Sequence, residues 1–339
     1  MQRDFHFYCI AVLARSAGYN KKDAFTIAYA SQYVDDSTES EPIKVDGIMF
    51  DPVRTAHKGL IGYITAVGWS AQKRVHIPFH FIPPKPIQSP EDTFVTQPAA
   101  DFALDILREA AKEPDPGRRL CRIGVALHTL ADTWAHREFS GRNNEENDVE
   151  SIHVKKNGRF KNLLLKNVYL DALPEIGHAE AEHYPDYPNI EWKYTQKKTA
   201  KTIHRNNTKE FLLAAERIHA GLQETLPDSQ RTDLPQNVKN QIRKLLADPA
   251  EDLEERCGKW RSAFQHMFPQ MTFEYDRRAW RDKALKPKTK RDTTDWDEVA
   301  PSTLETFEFS GKRNFYQSEW VQFHRAALLQ RHFVLERLL

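Results

Sequence analysis

Apolar residues recur at intervals of three and four positions along most of the chain, and this spacing predicts amphipathic helices. The first predicted helix covers residues 4–17 and ends at Gly18. Asn20 can cap a second helix that reaches Asp36. Further helices are predicted at 97–113, 118–139, 206–222, 233–247, 250–267 and 317–338. The pattern therefore predicts a mainly α chain with many helices.

Residues 41–95 interrupt this pattern. Gly and β-branched residues become frequent there, which predicts short strands or irregular extended segments. Prolines at positions 78, 83 and 84 exclude a regular helix in the same region. Polar stretches at 141–160 and 283–297 predict surface loops.

Composition narrows the classes of function. Lys and Arg number 49 and Asp and Glu number 48 among 339 residues, so the net charge is near +1 and argues against a dedicated duplex-DNA binder. No apolar run reaches the length of about 18 residues that a membrane-spanning helix needs. The N-terminal apolar run contains a histidine and lacks a small-residue cleavage site, so we expect no signal peptide. Three widely spaced cysteines are typical of a reduced, cytoplasmic protein.

The predicted helix 118–139 carries His128, Asp132 and His136 at i, i+4 and i+8. Their side chains would follow one helix face about 6 Å apart, and imidazole and carboxylate are ligand types that zinc takes. A structural role is the alternative, either as buried polar residues or as a surface ladder of ion pairs. Apolar neighbours disfavour the ladder, because burying these groups costs several kcal/mol unless they are paired or bound to a metal.

Two further groups of candidate ligands precede this helix. His6 lies in the first turn of helix 4–17. Asp35 and Asp36 stand at the end of the second helix, where carboxylates oppose the helix dipole unless a cation compensates them. Solvated loop acids are the alternative interpretation of this pair. His80 follows in the extended, proline-rich segment.

His178 and Glu182 form a second pair at i and i+4. We expect them on a short helix that stops before Pro185, where proline disfavours helical backbone in the preceding residue. A second His-x-x-x-acid pair in one chain strengthens the interpretation of a metal site.

In chain order the candidates are His, Asp, His, His-x-x-x-Asp, His and His-x-x-x-Glu. This order resembles that of the zinc-dependent phospholipase C and single-strand nuclease superfamily. The string His80-Phe81-Ile82-Pro83-Pro84 is similar to the His-Phe-x-x-Pro context of the phospholipases. The segment from Ala126 to His136 is closer to the HET-C-like branch, and the whole string to uncharacterised bacterial relatives.

The resemblance covers residues 1–225 and implies an all-α, phospholipase C-like domain with a zinc cluster at the base of a cleft. Residues 41–95 would form an irregular insertion in this domain, and residues 226–339 a C-terminal helical extension packed on it. The resemblance implies three sets of ligands. One ion would take His80, His128, Asp132 and either Asp35 or Asp36, and a second would take His136, His178 and Glu182. A third would take His6 and share Asp132, with Asp4 as a further candidate.

This chain departs from the superfamily in three ways. The enzymes bind one zinc through a mature N-terminal Trp, whereas this chain starts Met-Gln-Arg-Asp. His136 follows Asp132 by only four residues, and the adjacent pair Asp35 and Asp36 leaves the choice of ligand open.

The implied function is a phospholipase C-like, zinc-dependent phosphodiesterase that uses two or three divalent ions. Asp132 would bridge ions, and whichever of Asp35 and Asp36 is not a ligand would orient the attacking water. Trp134, Tyr184 and Asn206 are candidates for the substrate cleft. We expect a phospholipid or another phosphodiester as substrate, with contact to a membrane surface. The alternatives are a membrane-acting antibacterial or cell-death effector exported by a specialised secretion system, a single-strand nuclease, and a non-catalytic helical protein stabilised by metal.

Overall fold

The computed structural model describes residues 1–39, 41–57, 68–156, 158–162, 176–227, 231–271, 273–287, 306–309 and 315–338. Its helices are a π-helical turn at Asp4–Cys9 followed by α1 (Ile10–Ala17), α2 (Lys21–Asp36), α3 (Asp101–Ala111), α4 (Pro116–Ala135), α5 (Asn207–Glu224), α6 (Gln236–Leu246), α7 (Leu253–Gln265), α8 (Ala279–Ala284) and α9 (Glu319–Leu335). Its strands are β1 (Ile43–Val45), β2 (Ile48–Phe50), β3 (Val149–Lys156), β4 (Arg159–Asn162), β5 (Glu191–Gln196), β6 (Lys201–Asn206), β7 (Leu285–Pro287) and β8 (Thr306–Phe309).

Helix α4 is the centre of the helical part, and α2, α3, α5 and α9 all pack against it. Asp115 caps it by accepting a hydrogen bond from the backbone N–H of Arg118, and Pro116 lies in its first turn, where a missing N–H costs nothing. Every residue from Ile123 to Ala135 is buried, including the polar His128 and Asp132. The packing therefore fixes these polar side chains inside the protein.

The prediction of a mainly α fold is wrong. The described strands form two four-stranded sheets, ordered β2-β1-β8-β7 and β4-β3-β5-β6, and helices account for about half of the described residues. The second sheet is antiparallel throughout, whereas β1 and β8 of the first run parallel. The protein is a mixed α and β structure.

Alternation of buried and exposed side chains accounts for strands of the second sheet that the sequence analysis did not predict. In β5 the side chains of Trp192, Tyr194 and Gln196 are buried, while the residues between them are partly exposed. Strand β3 likewise buries Val149, Ile152 and Val154 behind charged neighbours. The stretch 141–160, predicted as a surface loop, therefore contributes two strands of this sheet.

The segment around His76 is also more helical than its prolines predict. Short helical turns occupy Trp69–Ala71, Gln72–His76 and Ile77–Phe79. Pro78 is tolerated because it lies at the start of the last turn, where its missing N–H breaks no helical hydrogen bond. Of the predicted loop 283–297, residues up to Pro287 belong to α8 and β7, and the rest lies outside the described residues.

The C-terminal third contributes to the same hydrophobic core as the N-terminal residues. Trp320 and Phe323 of α9 are fully buried in it, together with Phe5 and Phe7 from the chain start. The division into a domain at 1–225 and an extension at 226–339 stays a prediction. Over the described part of the chain, none of the helices combines the length and apolarity that crossing a membrane requires.

Candidate metal centre

A cavity of about 1170 Å³ opens beside the C-terminal half of α4. It is bounded by the end of α2, the segment around His80, the turn that follows His178, the chain start and residues 275–277. The titratable side chains in its wall are Asp35, Asp36, His57, His76, His80, Asp132, His136, His178, Glu182, His183, Asp186, Tyr275 and Asp276, besides two arginines.

Asp132 contacts several titratable groups, because both of its carboxylate oxygens have nitrogen neighbours. Its Oδ1 lies 2.7 Å from the amino group of Met1 and 3.1 Å from Nε2 of His6. Its Oδ2 lies 3.2 Å from Nδ1 of His80 and 3.2 Å from Nε2 of His128. The Asp132 carboxylate is buried and has nitrogen atoms beside both of its oxygens. This is the arrangement of a bridging ligand.

Backbone carbonyls fix the ring orientation of the histidines on either side of Asp132. Nε2 of His80 donates to the carbonyl of Thr55 at 2.8 Å, and Nδ1 of His128 donates to the carbonyl of Ser31 at 2.9 Å. When both rings are neutral, the other nitrogen of each is an acceptor, and these two nitrogens lie 3.2 Å apart. Two lone pairs and a carboxylate oxygen repel one another unless a cation stands between them.

His136 and His178 repeat this arrangement around a second carboxylate. Nδ1 of His136 donates to the carbonyl of His80 at 2.9 Å, and Nδ1 of His178 donates to the carbonyl of Glu182 at 2.7 Å. Their Nε2 atoms lie 3.3 and 3.4 Å from the two oxygens of Asp186. Metal-binding histidines characteristically donate their second N–H to a carbonyl in this way.

Burial favours the neutral form of three of the imidazoles, which is the form that binds metal ions. Desolvation lowers the pKa of His6, His128 and His178 to about 4 in each case. These three rings are therefore neutral at pH 7. His6 is fully buried; its Nε2 lies 3.1 Å from Oδ1 of Asp132 without hydrogen-bond geometry, and its Nδ1 has no hydrogen-bond partner among the described residues. A buried ring nitrogen without a hydrogen bond is costly by itself and becomes favourable with a bound metal.

The carboxylates, in contrast, are held ionised. Although burial opposes it, the Met1 ammonium and nearby imidazoles hold the pKa of Asp132 and Asp186 well below the usual range. Attraction to the same carboxylates overcomes burial and raises the pKa of the Met1 amino group to about 11. An ammonium ion thus stands 2.7 Å from the buried Asp132 carboxylate and 3.0 Å from the half-buried Asp186 carboxylate, where a metal cation would also be favourable.

The pKa values of His80 and Asp35 are both raised, unlike those of His128 and Asp132 beside them. Despite desolvation, the hydrogen bond and charge of Asp132 raise the pKa of His80. The Asp35 side chain is 33% exposed to the cavity, yet it lies deep enough that desolvation raises its pKa. A proton is therefore attracted to the point where the lone pairs of His80 and His128 converge.

The donor atoms fall into three groups that could each hold a metal ion. They are His6, Asp35 and His128; His80, His128 and Asp132; and His136, His178 and Asp186. Within each group the ligand atoms lie within 4.8 Å of one another. The chemistry of the donors, nitrogen and carboxylate oxygen without sulfur, fits zinc and related divalent ions.

Comparison with known proteins identifies a family and no function. Residues 1–338 match DUF6765, a family of unknown function. The chain belongs to this family. No curated protein and no solved structure matches it.

In this DUF6765 chain the structure distinguishes the adjacent acids of α2. Asp35 turns its Oδ1 towards Nε2 of His128, at 3.5 Å. Asp36 also lines the cavity, and it accepts hydrogen bonds on Oδ2 from Tyr275 at 2.6 Å and from Gln32 at 3.1 Å. Successive helix residues are about 100° apart around the axis, so the two carboxylates leave α2 in different directions.

Glu182 does not occupy the position that its spacing predicts. The predicted helix is a single 3-10 turn at Ala179–Ala181, and Glu182 leaves it with a positive φ of 50°. His178 and Glu182 therefore do not share a helix face, and His178 donates to the backbone carbonyl of Glu182. Asp186 supplies the carboxylate of this group.

Four other candidates lie outside the groups of ligands. Asp4 forms a buried ion pair with Arg256, at 2.7 Å. Trp134 packs in the core, Tyr184 packs beside Trp192, and Asn206 caps α5, so none of these three lines the cavity.

Sequence reasoning did not select Asp186 or the amino group of Met1. Asp186 stands eight residues after His178 between two prolines, and no helical period links the two positions. The useful signal would have been any carboxylate in the turn that follows His178. The amino group could not be placed from residue types, because its position depends on the folded path of the chain start.

Proposed function

We propose that this protein is a metal-dependent phosphoric-ester hydrolase, phospholipase C-like in its chemistry, with two or three divalent ions, of which zinc is the first candidate. One observation carries the proposal. Four histidines are each oriented by a backbone carbonyl so that their second nitrogens face two ionised carboxylates. Such convergence of acceptor atoms has a physical use when cations bind between them.

The residues would share the ions as follows. His80, His128 and Asp132 would hold one ion, and His136, His178 and Asp186 a second. His6 and Asp35 would hold a third, together with His128 or Asp132. Because Asp132 has nitrogen neighbours on both oxygens, we assign it the bridging role.

Bound divalent ions would polarise a phosphoryl oxygen and lower the pKa of a coordinated water towards about 7, which supplies a nucleophile at neutral pH. The chain itself contributes positioning and proton handling. Tyr275 and Gln32 hold Asp36 through Oδ2, which makes Oδ1 the oxygen that can accept a hydrogen bond from the attacking water. Asp36 lines the same cavity as the ligands.

The cavity wall supports an amphiphilic phosphodiester as substrate. Phe81, Val75 and Leu253 provide apolar surface beside the carboxylates and imidazoles. Arg3 and Arg277 also line it and can attract an anionic ester. We therefore favour a phospholipid-type headgroup over a nucleic-acid strand, and action in the cytoplasm or, after export, at a membrane.

Hydrolysis assays test the proposal. Zinc-loaded protein would be assayed with bis-p-nitrophenyl phosphate, phosphatidylcholine vesicles and single-stranded DNA. We expect turnover of the first two substrates and at least ~100-fold loss in His128→Ala, because that ring contributes to two groups of ligands. His204→Ala is the matched control, since His204 is exposed on β6. Cleavage of DNA alone would favour the nuclease alternative, and a zinc-loaded protein that cleaves none of the three would overturn the proposal.

A further inference from the structure

The turn that carries Asp186 has no regular secondary structure of its own to hold it. Among the described residues, the backbone N–H groups of Asp186 and Tyr187 donate only to the carbonyl of His183, at 3.0 and 3.3 Å. A ligand on such a turn keeps its place only if something outside the turn fixes the backbone.

Asn207, at the junction of β6 and α5, makes that connection. Its side chain is fully buried, and its Nδ2 donates to the carbonyls of Tyr184 and Tyr187, both at 2.7 Å. These two carbonyls flank Pro185 and Asp186 in the sequence. The two N–H groups of one amide thus bind the turn on either side of the carboxylate.

The Asn207 amide is itself fixed. Its Oδ1 accepts a hydrogen bond from Nε1 of Trp192 at 3.0 Å, and its backbone N–H donates to the carbonyl of Ile190. Trp192 is fully buried in the core of the second sheet. The orientation of the amide follows from this contact, because an indole N–H can only donate and so requires the oxygen.

The same junction also holds the other side of this group of ligands. Arg205, two residues earlier on β6, is buried and donates to the carbonyls of Trp134 and Ala135 at the end of α4. His136 is the next residue along the chain. The β6–α5 junction therefore contacts the backbone beside both His136 and Asp186.

We infer that Asn207 is a positioning residue for the ion held by His136, His178 and Asp186. It acts through the Tyr184–Tyr187 turn and sets where the Asp186 carboxylate stands. This inference rests on the proposed metal centre but concerns one of its ions only. The groups around Asp132 have no hydrogen bond to this amide.

Zinc binding to single-residue variants tests the inference. Stoichiometry would be measured by native mass spectrometry and affinity by chelator competition. We expect Asn207→Ala to weaken one zinc ion ~10–100-fold, which is typical of lost outer-shell support, and to leave the remaining zinc unchanged. Asn207→Asp should do the same, because its carboxylate can still accept from Trp192 but cannot donate to two carbonyls. This second variant keeps the test informative if Asn207→Ala does not fold.

Asn206→Ala is the matched control. Asn206 is the adjacent residue and caps α5 by accepting from the backbone N–H of Lys209 at 3.1 Å, so its loss affects the helix without touching the turn. We expect normal zinc stoichiometry and affinity in this variant.

Asp186→Ala, alone and combined with Asn207→Ala, separates positioning from general destabilisation. If Asn207 acts through Asp186, the double variant binds zinc as Asp186→Ala does. Additive losses, equal weakening of every ion, or an unchanged Asn207→Ala would overturn the inference and leave the proposed function standing. Wild-type protein that holds no zinc would overturn both.

Discussion

At the scale of single residues, the adjacent acids of α2 give the sharpest contrast. Asp35 faces His128, whereas Asp36 is bonded to Tyr275 and Gln32. We expect Asp35→Asn to weaken or remove one zinc ion and Asp36→Asn to retain all of them while slowing hydrolysis. Elemental analysis and turnover of the two variants check this. Loss of zinc from Asp36→Asn with full retention in Asp35→Asn would show that the assignment is reversed.

The buried His324, which belongs to none of the groups of ligands, predicts how stability depends on pH. Desolvation, with help from Arg281 and Arg331, lowers the pKa of His324 to about 3. Below pH ~6.5 the unfolded chain binds a proton at this position and the native protein does not. Stability is therefore lost as pH falls from ~6.5 towards about 3, by up to ~1.4 kcal/mol per pH unit from this residue.

Urea unfolding at a series of pH values, in the presence of a chelator, measures this contribution. His324→Gln should flatten the slope between pH ~6 and ~4 by nearly one proton, whereas His332→Gln, an exposed position on the same helix, should leave it unchanged. Equal slopes for His324→Gln and wild type would contradict the prediction.

The ligand residues differ in how far the sequence could reveal them. His128, Asp132 and His136 follow one helical period, and α4 is regular up to Ala135, so their proximity could be predicted. Asp186 could not, because an irregular turn sets its position through hydrogen bonds from a residue more than twenty positions later. Spacing in the sequence predicts which residues are neighbours within one helix or strand. It does not predict contacts between a turn and a junction that is distant in the sequence.

At the scale of elements, the close approach of α2 and α4 sets the distance from Asp35 to His128. Gly124 permits it, because a Cβ added there would lie 2.4 Å from the carbonyl oxygen of Ile27 and 2.6 Å from Cβ of Ala30. We expect Gly124→Ala to cost ~1–3 kcal/mol or more of stability by overpacking, and to weaken zinc binding by separating the helices.

Gly258→Ala is the control for this substitution. Gly258 lies within α7, and an added Cβ would meet nothing within 4 Å. The better helix propensity of alanine should leave stability equal or raise it by up to ~1 kcal/mol. Urea unfolding with zinc analysis compares the two variants. Unchanged stability in Gly124→Ala would contradict the close packing of α2 on α4.

Helices could be predicted from the sequence more readily than strands. The bounds of α1 and α2 could be predicted from Gly18, Asn20 and the apolar period, because capping and periodicity are local properties. Strands β3 to β6 were missed because their outward positions are charged and their inward positions, such as Trp192 and Ile203, are few and widely spaced. The pairing partners that make them strands lie up to about fifty residues away.

At the scale of the whole molecule, the last third of the chain is connected to the cluster through the chain start. Arg256 of α7 is buried and donates from Nε to Asp4 at 2.7 Å, and its other nitrogens contact Gln2 and the carbonyls of Ala250 and Glu251. Residues 1–4 thereby place the amino group of Met1 beside Asp132. The resemblance to phospholipases stops near residue 225 and gave no indication of this contact.

Replacement of Arg256 should therefore lower the stability of the whole protein. Arg256→Met leaves the buried Asp4 carboxylate without its partner and should cost ~3–5 kcal/mol. Arg3→Ala removes an ion pair between the same two segments, but its partner Glu254 is 75% exposed, so we expect a loss below ~1 kcal/mol. Thermal and urea unfolding compare them. Similar losses in both variants would contradict the importance of the buried pair.

Zinc content per chain is the direct test of a multinuclear metal centre. Elemental analysis of wild type, His128→Ala and His178→Ala would follow chelation and reloading with zinc. We expect two or three zinc ions in wild type and fewer in each variant. The double variant should lose the sum of the two single losses, because His128 and His178 belong to different groups of ligands. Less than one zinc ion per wild-type chain, or variants that retain the full content, would contradict a multinuclear metal centre.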